Sequence, residues 1–502
     1  LGKHMDSVSG NDLLRRLAFD NPWWDAKPGT PIRFRQLPKR PFFAPFSARV
    51  RAMGMGRALL LAGPLRAGKT VLLRQALAGL IESGARPESV LYCSFATPSY
   101  GAADFPALVD AFCRRHKHAP SAELFLFLDD IEYAPDFEAL LLKLARQYPH
   151  AHVVGAASAL APALYSGATT KGGRLEIFVL PPLTFAEHLA LRGAEDDLFA
   201  DAGKAGGAAA LKAGALPRLD LEFQYYVNFG GFPEGAGGKP GMAPSPAFVR
   251  DRLADRVLRN DRAGLAGVAD AGELGRLLLV LARDSGREGG IDDIAGAAGI
   301  AKNTLRKYLD YLEHAFLIRR IERLDHDGGR FQRAVAFKTC LAAPSLYAAL
   351  FGPVAATEDA FARLAETALI AQWLGSPDAR HLAYASWRGG KVDLVALDPQ
   401  SGKPAMTFEI DWTDAYAKGA GVKGPAAMVG FIEKTNPKAK AFVLTRAAAR
   451  PARMRGIDVT LVPLSLYAYW AGRNTIARLE KAPATATPQT QGAIQGEPQA
   501  AD

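Results

Sequence analysis

The residues with the clearest chemical potential form one run that spaces two glycines, a lysine and a threonine in the pattern G-x-x-x-x-G-K-S/T. Glycines at these positions let backbone N–H groups turn inward around phosphate oxygens, and the N-terminus of a following helix attracts the same anions. The lysine can reach the β and γ phosphates of ATP, and the threonine hydroxyl can bind Mg²⁺. The residues predicted to hold ATP here are Gly63, Pro64, Leu65, Arg66, Ala67, Gly68, Lys69, Thr70 and Val71.

The segments on either side of this run have the patterns of a strand and a helix. Residues 58–62 are an apolar run that is long enough for a buried parallel strand. Apolar residues then recur at helical spacing from Val71 to Leu80. A strand, a loop and a helix in this order are the context that a phosphate-binding loop requires. This context favours a phosphate-binding loop over a glycine-containing turn without chemical function.

A second run ends in a pair of acidic residues. Residues 124–128 are apolar and are followed directly by Asp129 and Asp130. A buried strand with this ending delivers Asp129 to the Mg²⁺ shell and positions Asp130 to polarise an attacking water. The alternative is a solvated acidic turn after a core strand, and the phosphate-binding loop upstream favours the nucleotide role.

Two further residues are candidates for contacts with the terminal phosphate. Ser158 ends the next predicted strand, residues 153–158, and is the polar residue available there. Arg174 precedes a later strand candidate, residues 177–183. An arginine at the rim of the site can neutralise transition-state charge, in the same chain or across a subunit interface, and a solvated surface arginine is the alternative. The predicted catalytic residues are Lys69, Asp130 and Arg174.

The composition of the chain restricts its class. Its 502 residues are too many for one core and predict two to four domains. Apolar residues make up 49% and charged residues 22%, as in soluble globular proteins, and the net charge of +10 gives mild support for a polyanionic partner. Cys93, Cys113 and Cys340 lie far apart without metal-ligand spacing, which predicts a reducing compartment. Since no run of about eighteen apolar residues occurs, we expect a cytoplasmic protein without a membrane partner.

A helix-turn-helix pattern occupies residues 272–325. Two helical stretches are followed by a tight turn at Gly299 and a helix over residues 302–315, and residues 316–323 can form a wing strand. Side chains early in that last helix can contact DNA phosphates or base edges. Winged helices also serve as packing and oligomerisation modules, and acidic residues such as Asp310 dilute the positive charge, so both functions stay open. The candidate DNA contacts are Lys302, Asn303, Arg306 and Lys307.

Acidic residues also fall on predicted strands in the last third of the sequence. A glutamate on a predicted helix precedes two strand candidates, residues 391–397 and 406–412. Carboxylates at such positions can hold a hard divalent cation beside a phosphodiester. The candidate residues are Glu366, Asp393, Glu409 and Asp411.

Taken together, these stretches resemble a family of bacterial and archaeal AAA-type ATPases that join a P-loop domain to a winged helix and a C-terminal restriction-endonuclease-like domain. The resemblance extends from about residue 21 to about residue 470, and its specific parts are residues 63–70, 127–131, 173–174, 182–185, 230–233, 308–317 and 387–395. It implies an α/β fold in which a P-loop NTPase parallel sheet is followed by a winged helix-turn-helix and a degenerate restriction-endonuclease-like α/β domain.

The implied domains follow in the same order. We expect the aromatic residues of the N-terminal lead-in to pack on the ATPase domain, with base stacking as the alternative. A basic helix is predicted over residues 247–262, and a disordered tail is predicted where Ala, Pro, Thr, Gln and Gly dominate. The boundaries are 1–50 for the lead-in, 51–246 for the P-loop ATPase domain, 247–340 for the helical linker and winged helix, 341–480 for the restriction-endonuclease-like domain and 481–502 for the tail.

Two departures from the family pattern change what the resemblance implies. The family usually has Asp-Glu where this chain has an Asp pair, and the shorter Asp130 predicts slow ATP hydrolysis. The nuclease pattern of the family has a lysine where this chain has Asp411. Lys391, Lys403 or Lys418 can substitute for that lysine only by position, so we expect little or no DNA cleavage.

The function predicted from these patterns is an ATP-driven switch or motor that acts on DNA or on a protein–DNA complex. The resemblance implies a homo-oligomer, with a hexameric ring as its closed form. Two other functions stay open: an ATP-gated, metal-dependent DNA nuclease, and a nucleotide-gated assembly protein that binds no nucleic acid.

Overall fold

Two β-sheets organise the chain. The computed structural model describes residues 10–25, 32–101, 104–158, 173–200, 210–236, 270–330, 336–418 and 423–481. Strands of the first sheet are rich in apolar residues and largely buried, as expected of strands that are covered on both faces. Within the described residues these strands are β1 (Ala58–Ala62), β2 (Val90–Ser94), β3 (Leu124–Asp129), β4 (Ala151–Ala157) and β5 (Leu175–Val179).

All neighbouring strands of the first sheet are parallel, in the order β2-β3-β4-β1-β5. Because β1 has neighbours on both sides, the loop that leaves its carboxyl end is flanked by the ends of β4 and β5. Such a position, outside the carboxyl ends of parallel strands, is where open α/β sheets bind ligands. The predicted α/β class with a parallel P-loop NTPase sheet is therefore confirmed.

Helices cover the two faces of this sheet and lead away from it. The helix Lys69–Glu82 begins directly after the glycine-rich loop, as its apolar spacing predicts. The helices of the N-terminal half are α1 (Gly10–Asp20), α2 (Phe43–Ala52), α3 (Lys69–Glu82), α4 (Pro98–Gly101), α5 (Phe105–Arg115), α6 (Phe137–Gln147), α7 (Phe185–Leu191), α8 (Glu195–Leu198), α9 (Leu216–Phe229) and α10 (Pro233–Ala236).

Two aromatic residues of the lead-in, Trp23 and Trp24, pack on the β2 edge of this sheet. Both indole N–H groups, of Trp23 and Trp24, donate to the carbonyl oxygen of Val90, at 3.0 and 2.8 Å. Asn21 pairs with the backbone of Tyr92 through two hydrogen bonds of 2.6 and 2.7 Å. These contacts cover β2, which is the edge strand, so the rings are part of the core and not a surface for base stacking.

The second sheet runs through the remainder of the chain in the order β6-β8-β7-β9-β10-β11-β12-β14-β13. It is mixed: β11, β12 and β14 are parallel to one another, whereas β9, β10 and β11 are antiparallel. Its strands are β6 (Glu288–Gly290), β7 (Ile318–Leu324), β8 (Ala336–Leu341), β9 (Leu382–Trp387), β10 (Gly390–Leu397), β11 (Pro404–Asp411), β12 (Lys440–Thr445), β13 (Arg450–Met454) and β14 (Ile457–Pro463).

One strand, β7, makes this sheet continuous. The first part of β7 pairs antiparallel with β8, and its last three residues pair parallel with β9, beginning with Glu322 opposite Ala383. The helix-turn-helix segment and the C-terminal segment thus share one sheet. The domain boundary predicted at residue 340 falls inside β8.

Helices of the C-terminal half fall into two groups. The helices α11, α12 and α13 form the predicted helix-turn-helix, with its turn at Gly299, and α14 packs against α9 and α11, whereas α15, α16 and α17 pack around β9–β14. Their bounds are α11 (Ala271–Arg283), α12 (Ile291–Ala298), α13 (Lys302–His314), α14 (Ser345–Phe351), α15 (Asp359–Ala371), α16 (Lys423–Thr435) and α17 (Leu464–Lys481).

Some predictions fall on residues that the structure does not describe. The basic helix over residues 247–262 and the tail after residue 481 lie outside the described residues. Among the residues that are described, no helix combines the length and the apolar character needed to cross a membrane.

Candidate functional site

The glycine-rich loop has the shape that phosphate binding requires. A Cβ atom on Gly63 would lie 2.1 Å from the carbonyl oxygen of Leu180, so a larger residue cannot replace this glycine without moving the backbone. Gly68 has φ +97° and caps α3 without a side chain that accepts hydrogen bonds. The first N–H groups of α3 therefore point into the loop with no capping side chain, which is the arrangement that binds anions.

Lys69 lies inside this loop. Its ammonium group donates to the carbonyl oxygens of Gly63 and Pro64, both at 2.9 Å, and the residue is only 7% exposed. These two hydrogen bonds hold the Lys69 ammonium next to the space that the loop surrounds. From that position it can transfer its hydrogen bonds to phosphate oxygens.

Asp129 and Thr70 meet next to the lysine, as the sequence predicts for a Mg²⁺ site. The Thr70 side chain hydrogen-bonds the Asp129 carboxylate, and the Tyr92 hydroxyl donates to Asp129 Oδ2 at 2.8 Å. Burial and the neighbouring Asp130 charge raise the pKa of Asp129 to about 6. A buried carboxylate beside a threonine hydroxyl is a donor set of hard oxygens that fits Mg²⁺, whose charge would favour the ionised form.

Asp130 is turned away from the loop, towards β2. Its backbone has φ +51°, and its Oδ2 accepts a 2.6 Å hydrogen bond from Ser94 Oγ at the end of β2. The structure brings Asp130 next to Asp129 but does not bring its carboxylate to the side of the P-loop.

Glu132 is a residue that the sequence analysis missed. Its Oε1 accepts a 3.0 Å hydrogen bond from the backbone N–H of Ser158, the residue that follows β4. Burial raises the pKa of Glu132 to about 7, although the charge of Lys69 acts in the opposite direction. The sequence does show a third acidic residue two positions after the Asp pair. Its place beside β4 depends on the order of the strands and could not be predicted from the motif.

The prediction that Arg174 lies at the rim of the phosphate site in its own chain is wrong. Arg174 is exposed and directly precedes β5, where its carbonyl oxygen accepts from Ala58 at the start of β1. The loop follows the other end of β1, so five parallel residues, or about 16 Å, separate the two. Parallel strands keep their beginnings and ends on opposite edges of a sheet, and this excludes a contact in the same chain.

A segment after α9 lies against the P-loop. Arg66, at φ +67°, forms an ion pair with Glu234, and the side chain of Pro233 approaches Gly68. The carbonyl oxygen of Gly231 accepts a 2.7 Å hydrogen bond from the Leu183 N–H. The family resemblance includes residues 230–233 but assigns them no role, whereas the structure places this segment against the P-loop.

The C-terminal carboxylates form a cluster, and β8 contributes an unforeseen cation to it. Lys338 Nζ donates to Glu366 Oε1 at 2.7 Å and to the Asp393 carbonyl oxygen at 2.9 Å. Lys391 Nζ donates to Asp393 Oδ1 at 2.7 Å. Although burial opposes it, the carboxylates of Glu366 and Asp393 raise the pKa of Lys338, so the ammonium form is held.

Glu409 completes this cluster in a different protonation state. Burial and the nearby Asp393 charge raise the pKa of Glu409 to about 8, so this carboxyl group is largely protonated at neutral pH. The ammonium groups of Lys338 and Lys391 pair with Glu366 and Asp393, whereas Glu409 Oε2 is buried without a hydrogen-bond partner among the described residues. Two of the residues predicted to bind a divalent cation thus already have cationic partners within the chain.

Asp411 was predicted in the cluster, and that prediction is wrong. Its two oxygens accept hydrogen bonds from the backbone N–H groups of Ala415 and Tyr416, at 2.8 and 2.7 Å. The turn after β11 thus holds this carboxylate. Of the three lysines proposed by position, only Lys391 meets the cluster, because Lys403 is exposed in a turn and Lys418 donates to Thr413.

Replacing Lys338 with methionine is expected to lower the free energy of unfolding by about 3 kcal/mol, because Glu366 would stay buried without its ion partner. Lys302→Met is the matched control, since Lys302 and Asp292 form an exposed pair whose loss changes stability little. Urea denaturation of both variants measures the difference. Equal stability of the two variants would contradict a buried ion cluster.

The candidate DNA contacts lie on one exposed face of α13. Lys302, Asn303, Arg306 and Lys307 are all exposed. Two acidic residues of α13 are paired with arginines of β7, since Glu313 is buried against Arg319 and Arg320, and Asp310 pairs with Arg320 at 2.7 Å. Lys302 on this face is itself paired with Asp292 at 2.8 Å.

Comparison with known proteins adds two family matches. Residues 55–189 match a family model described as an AAA domain, and residues 220–356 match one described as a domain of unknown function (DUF8612). The first match covers most of the parallel-sheet unit, which is therefore similar to AAA domains. An uncharacterized protein of Haemophilus influenzae is 26% identical over 284 residues, which are 54% of this chain and 63% of that relative. The match thus spans less than two thirds of the relative.

Three solved structures illustrate how distant the structural similarity is. The replication initiator DnaA bound to AMPPCP and single-stranded DNA is 15% identical, with 57% of this chain and 92% of that chain covered and a TM-score of 0.28. ORC1 of Aeropyrum pernix in complex with DNA is 16% identical (62% and 91% covered, TM-score 0.29). RuvB of Thermotoga maritima is 19% identical (56% and 86% covered, TM-score 0.26). Similarity at this level identifies neither a ligand nor a partner of this chain.

Proposed function

We propose that this chain is an ATP-dependent switch or motor that acts on DNA or on a protein–DNA complex. The observation that carries the proposal is the P-loop with the Lys69 ammonium inside it and the Asp129–Thr70 pair beside it. A lysine, a hydroxyl and a buried carboxylate at the carboxyl ends of β1 and β3 are the groups that hold a nucleoside triphosphate and its metal ion.

Each of these groups has one task in the proposed site. Backbone N–H groups of residues 63–68 and of the first turn of α3 bind phosphate oxygens, and Lys69 binds the β and γ phosphates. Thr70 and Asp129 hold Mg²⁺, which when bound offsets the charge on those oxygens. Ser158, at the end of β4, faces the terminal phosphate.

The segment 230–234 supports a route from the nucleotide to the helix-turn-helix unit. Glu234 is paired with Arg66 of the P-loop, and the Gly230 carbonyl oxygen accepts a hydrogen bond from Ser345 at the start of α14. Phosphates in the loop compete with Glu234 for the Arg66 guanidinium. Nucleotide binding then loosens the segment from the loop and changes how α14 and the helices packed on it are held.

The exposed face of α13 supports DNA over a purely structural role for the helix-turn-helix. Three cations, Lys302, Arg306 and Lys307, lie within two turns on one side, and the acidic residues of the helix are engaged with arginines of β7. An exposed basic stripe at the start of such a helix is the usual footprint for phosphate and base contacts.

The C-terminal cluster supports a unit without nuclease activity. Its order of α15, β9, β10, β11, α16 and β12 is consistent with the proposed restriction-endonuclease-like fold. The lysines Lys338 and Lys391 neutralise Glu366 and Asp393 where a nuclease holds its metal ion. We therefore propose that this unit serves as a scaffold, and incubation with Mg²⁺ or Mn²⁺, ATP and plasmid DNA is expected to give no cleavage.

Changing Arg306 and Lys307 together to alanine is expected to weaken binding to duplex DNA by at least about tenfold near 100 mM salt, because two phosphate contacts are lost. The slope of log affinity against log salt is expected to fall by about 2. Fluorescence anisotropy with labelled DNA, in ATP and in ADP, measures both quantities.

The matched control changes Lys438 and Lys440, two exposed lysines before and in β12, and is expected to bind DNA like the unchanged chain. Equal affinities for both double variants would contradict DNA contact by α13 and favour the assembly protein without nucleic acid. The homo-oligomer and its hexameric ring remain predictions, which particle images with and without ATP and DNA check directly.

A further inference from the structure

The order of strands separates the two carboxylates that follow Asp129. The strand β3 has β2 on one side and β4 on the other, and β1 with its P-loop lies beyond β4. Asp130 is held by Ser94 at the end of β2, whereas Glu132 is held by the N–H of Ser158 at the end of β4. The Glu132 carboxylate is therefore held on the side of β3 that faces β4 and the P-loop, whereas the Asp130 carboxylate is held on the side of β2.

The second oxygen of Glu132 is enclosed and unused. Glu132 Oε2 is shut off from solvent and has no hydrogen-bond partner among the described residues, and the same holds for Ser158 Oγ next to it. A buried acceptor without a donor is costly, so such a group calls for a ligand or a water. Lys69 lies near enough for its charge to act on Glu132.

We propose that Glu132, and not Asp130, is the carboxylate that orients the attacking water when this chain hydrolyses ATP. The inference rests on the proposed function. The water oxygen forms a bond to the γ-phosphorus, and the bond from that phosphorus to the oxygen bridging to ADP breaks. The water proton passes to Glu132 Oε2, and ADP and inorganic phosphate leave.

Ser158 acts as a positioning residue in this proposal. Its backbone N–H holds Oε1 of Glu132 and so directs Oε2 to one side. In this proposal Asp130 does not orient the attacking water. Its short side chain is therefore no reason to expect slow hydrolysis of ATP.

The test compares Glu132→Gln with Asp130→Asn in the full chain, with Mg²⁺ present. Glu132→Gln is expected to lower the turnover of ATP by about 100-fold, which is the typical loss of a general base. It is also expected to keep the affinity for ATP and to retain intact ATP through gel filtration. Asp130→Asn is expected to stay within about fivefold of the unchanged chain, and Glu132→Asp to give an intermediate rate that guards against a folding defect.

The outcomes separate this inference from the proposed function. If Asp130→Asn loses turnover and Glu132→Gln keeps it, the role of Glu132 is overturned while the ATPase stands. If the unchanged chain binds ATP without hydrolysing it, the inference falls and nucleotide binding stands. If the unchanged chain does not bind ATP, the proposed function fails, and the inference fails with it.

Discussion

Replacing Lys69 with alanine is expected to lower the affinity for Mg²⁺–ATP by at least about 1,000-fold. Lys69 is only 7% exposed, and its ammonium group already lies within the P-loop on the carbonyl oxygens of Gly63 and Pro64. Two charge-assisted hydrogen bonds to phosphates at about 2 kcal/mol each account for the loss. Isothermal titration calorimetry with a non-hydrolysable ATP analogue measures it.

A second lysine provides the control for this change. Lys143 on α6 is exposed, and Lys143→Ala is expected to leave the affinity for ATP unchanged. The melting temperature of Lys69→Ala, measured alongside, shows whether the variant is still folded. Unaltered affinity of Lys69→Ala for labelled ATP would refute the site.

Replacing Arg40 with alanine is expected to lower the free energy of unfolding by about 4 kcal/mol. Arg40 and Glu187 form a buried two-point ion pair at 2.8 and 3.1 Å, with side chains only 7% and 1% exposed. The same guanidinium donates to the carbonyl oxygens of Ala67 and Pro181, at 2.8 and 3.0 Å. Its loss leaves the buried Glu187 carboxylate without its cation, although the Thr184 N–H still donates to it, and removes a donor from two carbonyl oxygens. Urea denaturation followed by tyrosine and tryptophan fluorescence measures the change.

Arg35→Ala is the matched control, because Arg35 belongs to the same lead-in and pairs with Glu82 in an exposed ion pair. Its removal is expected to change stability far less than that of Arg40. Arg40 also fixes Ala67 of the P-loop, so Arg40→Ala is expected to weaken ATP binding, whereas Arg35→Ala is not. Similar stability and affinity of the two variants would show that Arg40 is no more than a surface cation.

The ion pair of Arg40 gives the lead-in a definite place in the mechanism. It ties the P-loop to Glu187 on α7, whose N-terminal residue Phe185 donates its N–H to Gln372 beside α15 at 2.8 Å. The C-terminal unit is thus held to the nucleotide domain by buried polar contacts. These contacts connect the P-loop to that unit through packed polar side chains.

Features that depend on local pattern could be predicted from the sequence. The strand over Ala58–Ala62 has the predicted bounds because a continuous apolar run between polar residues fits a buried strand. The helix α13 begins at Lys302 as predicted, because its apolar residues recur with helical spacing. Asp129 meets Thr70 because both motifs place them at the carboxyl ends of parallel strands.

Features that depend on strand order could not be predicted in this way. Arg174 stands near a glycine pair and a strand, yet it lies at the opposite edge of the sheet from the P-loop. Asp411 matches the position of a family lysine, yet the following turn takes both of its oxygens. Lys338 carries no motif at all, and it reaches the carboxylate cluster only because β8 joins the same sheet.

The amino-acid sequence by itself determined the phosphate-binding loop, the buried acidic strand and the parallel α/β unit, because each depends on residues that are close together in the chain. The tertiary structure decided which carboxylate faces the loop, which cation neutralises the C-terminal cluster and which arginine ties the lead-in to Glu187. Those outcomes depend on which strands become neighbours. The burial that makes Glu132, Lys338 and Arg40 important exists only after the chain has folded around them.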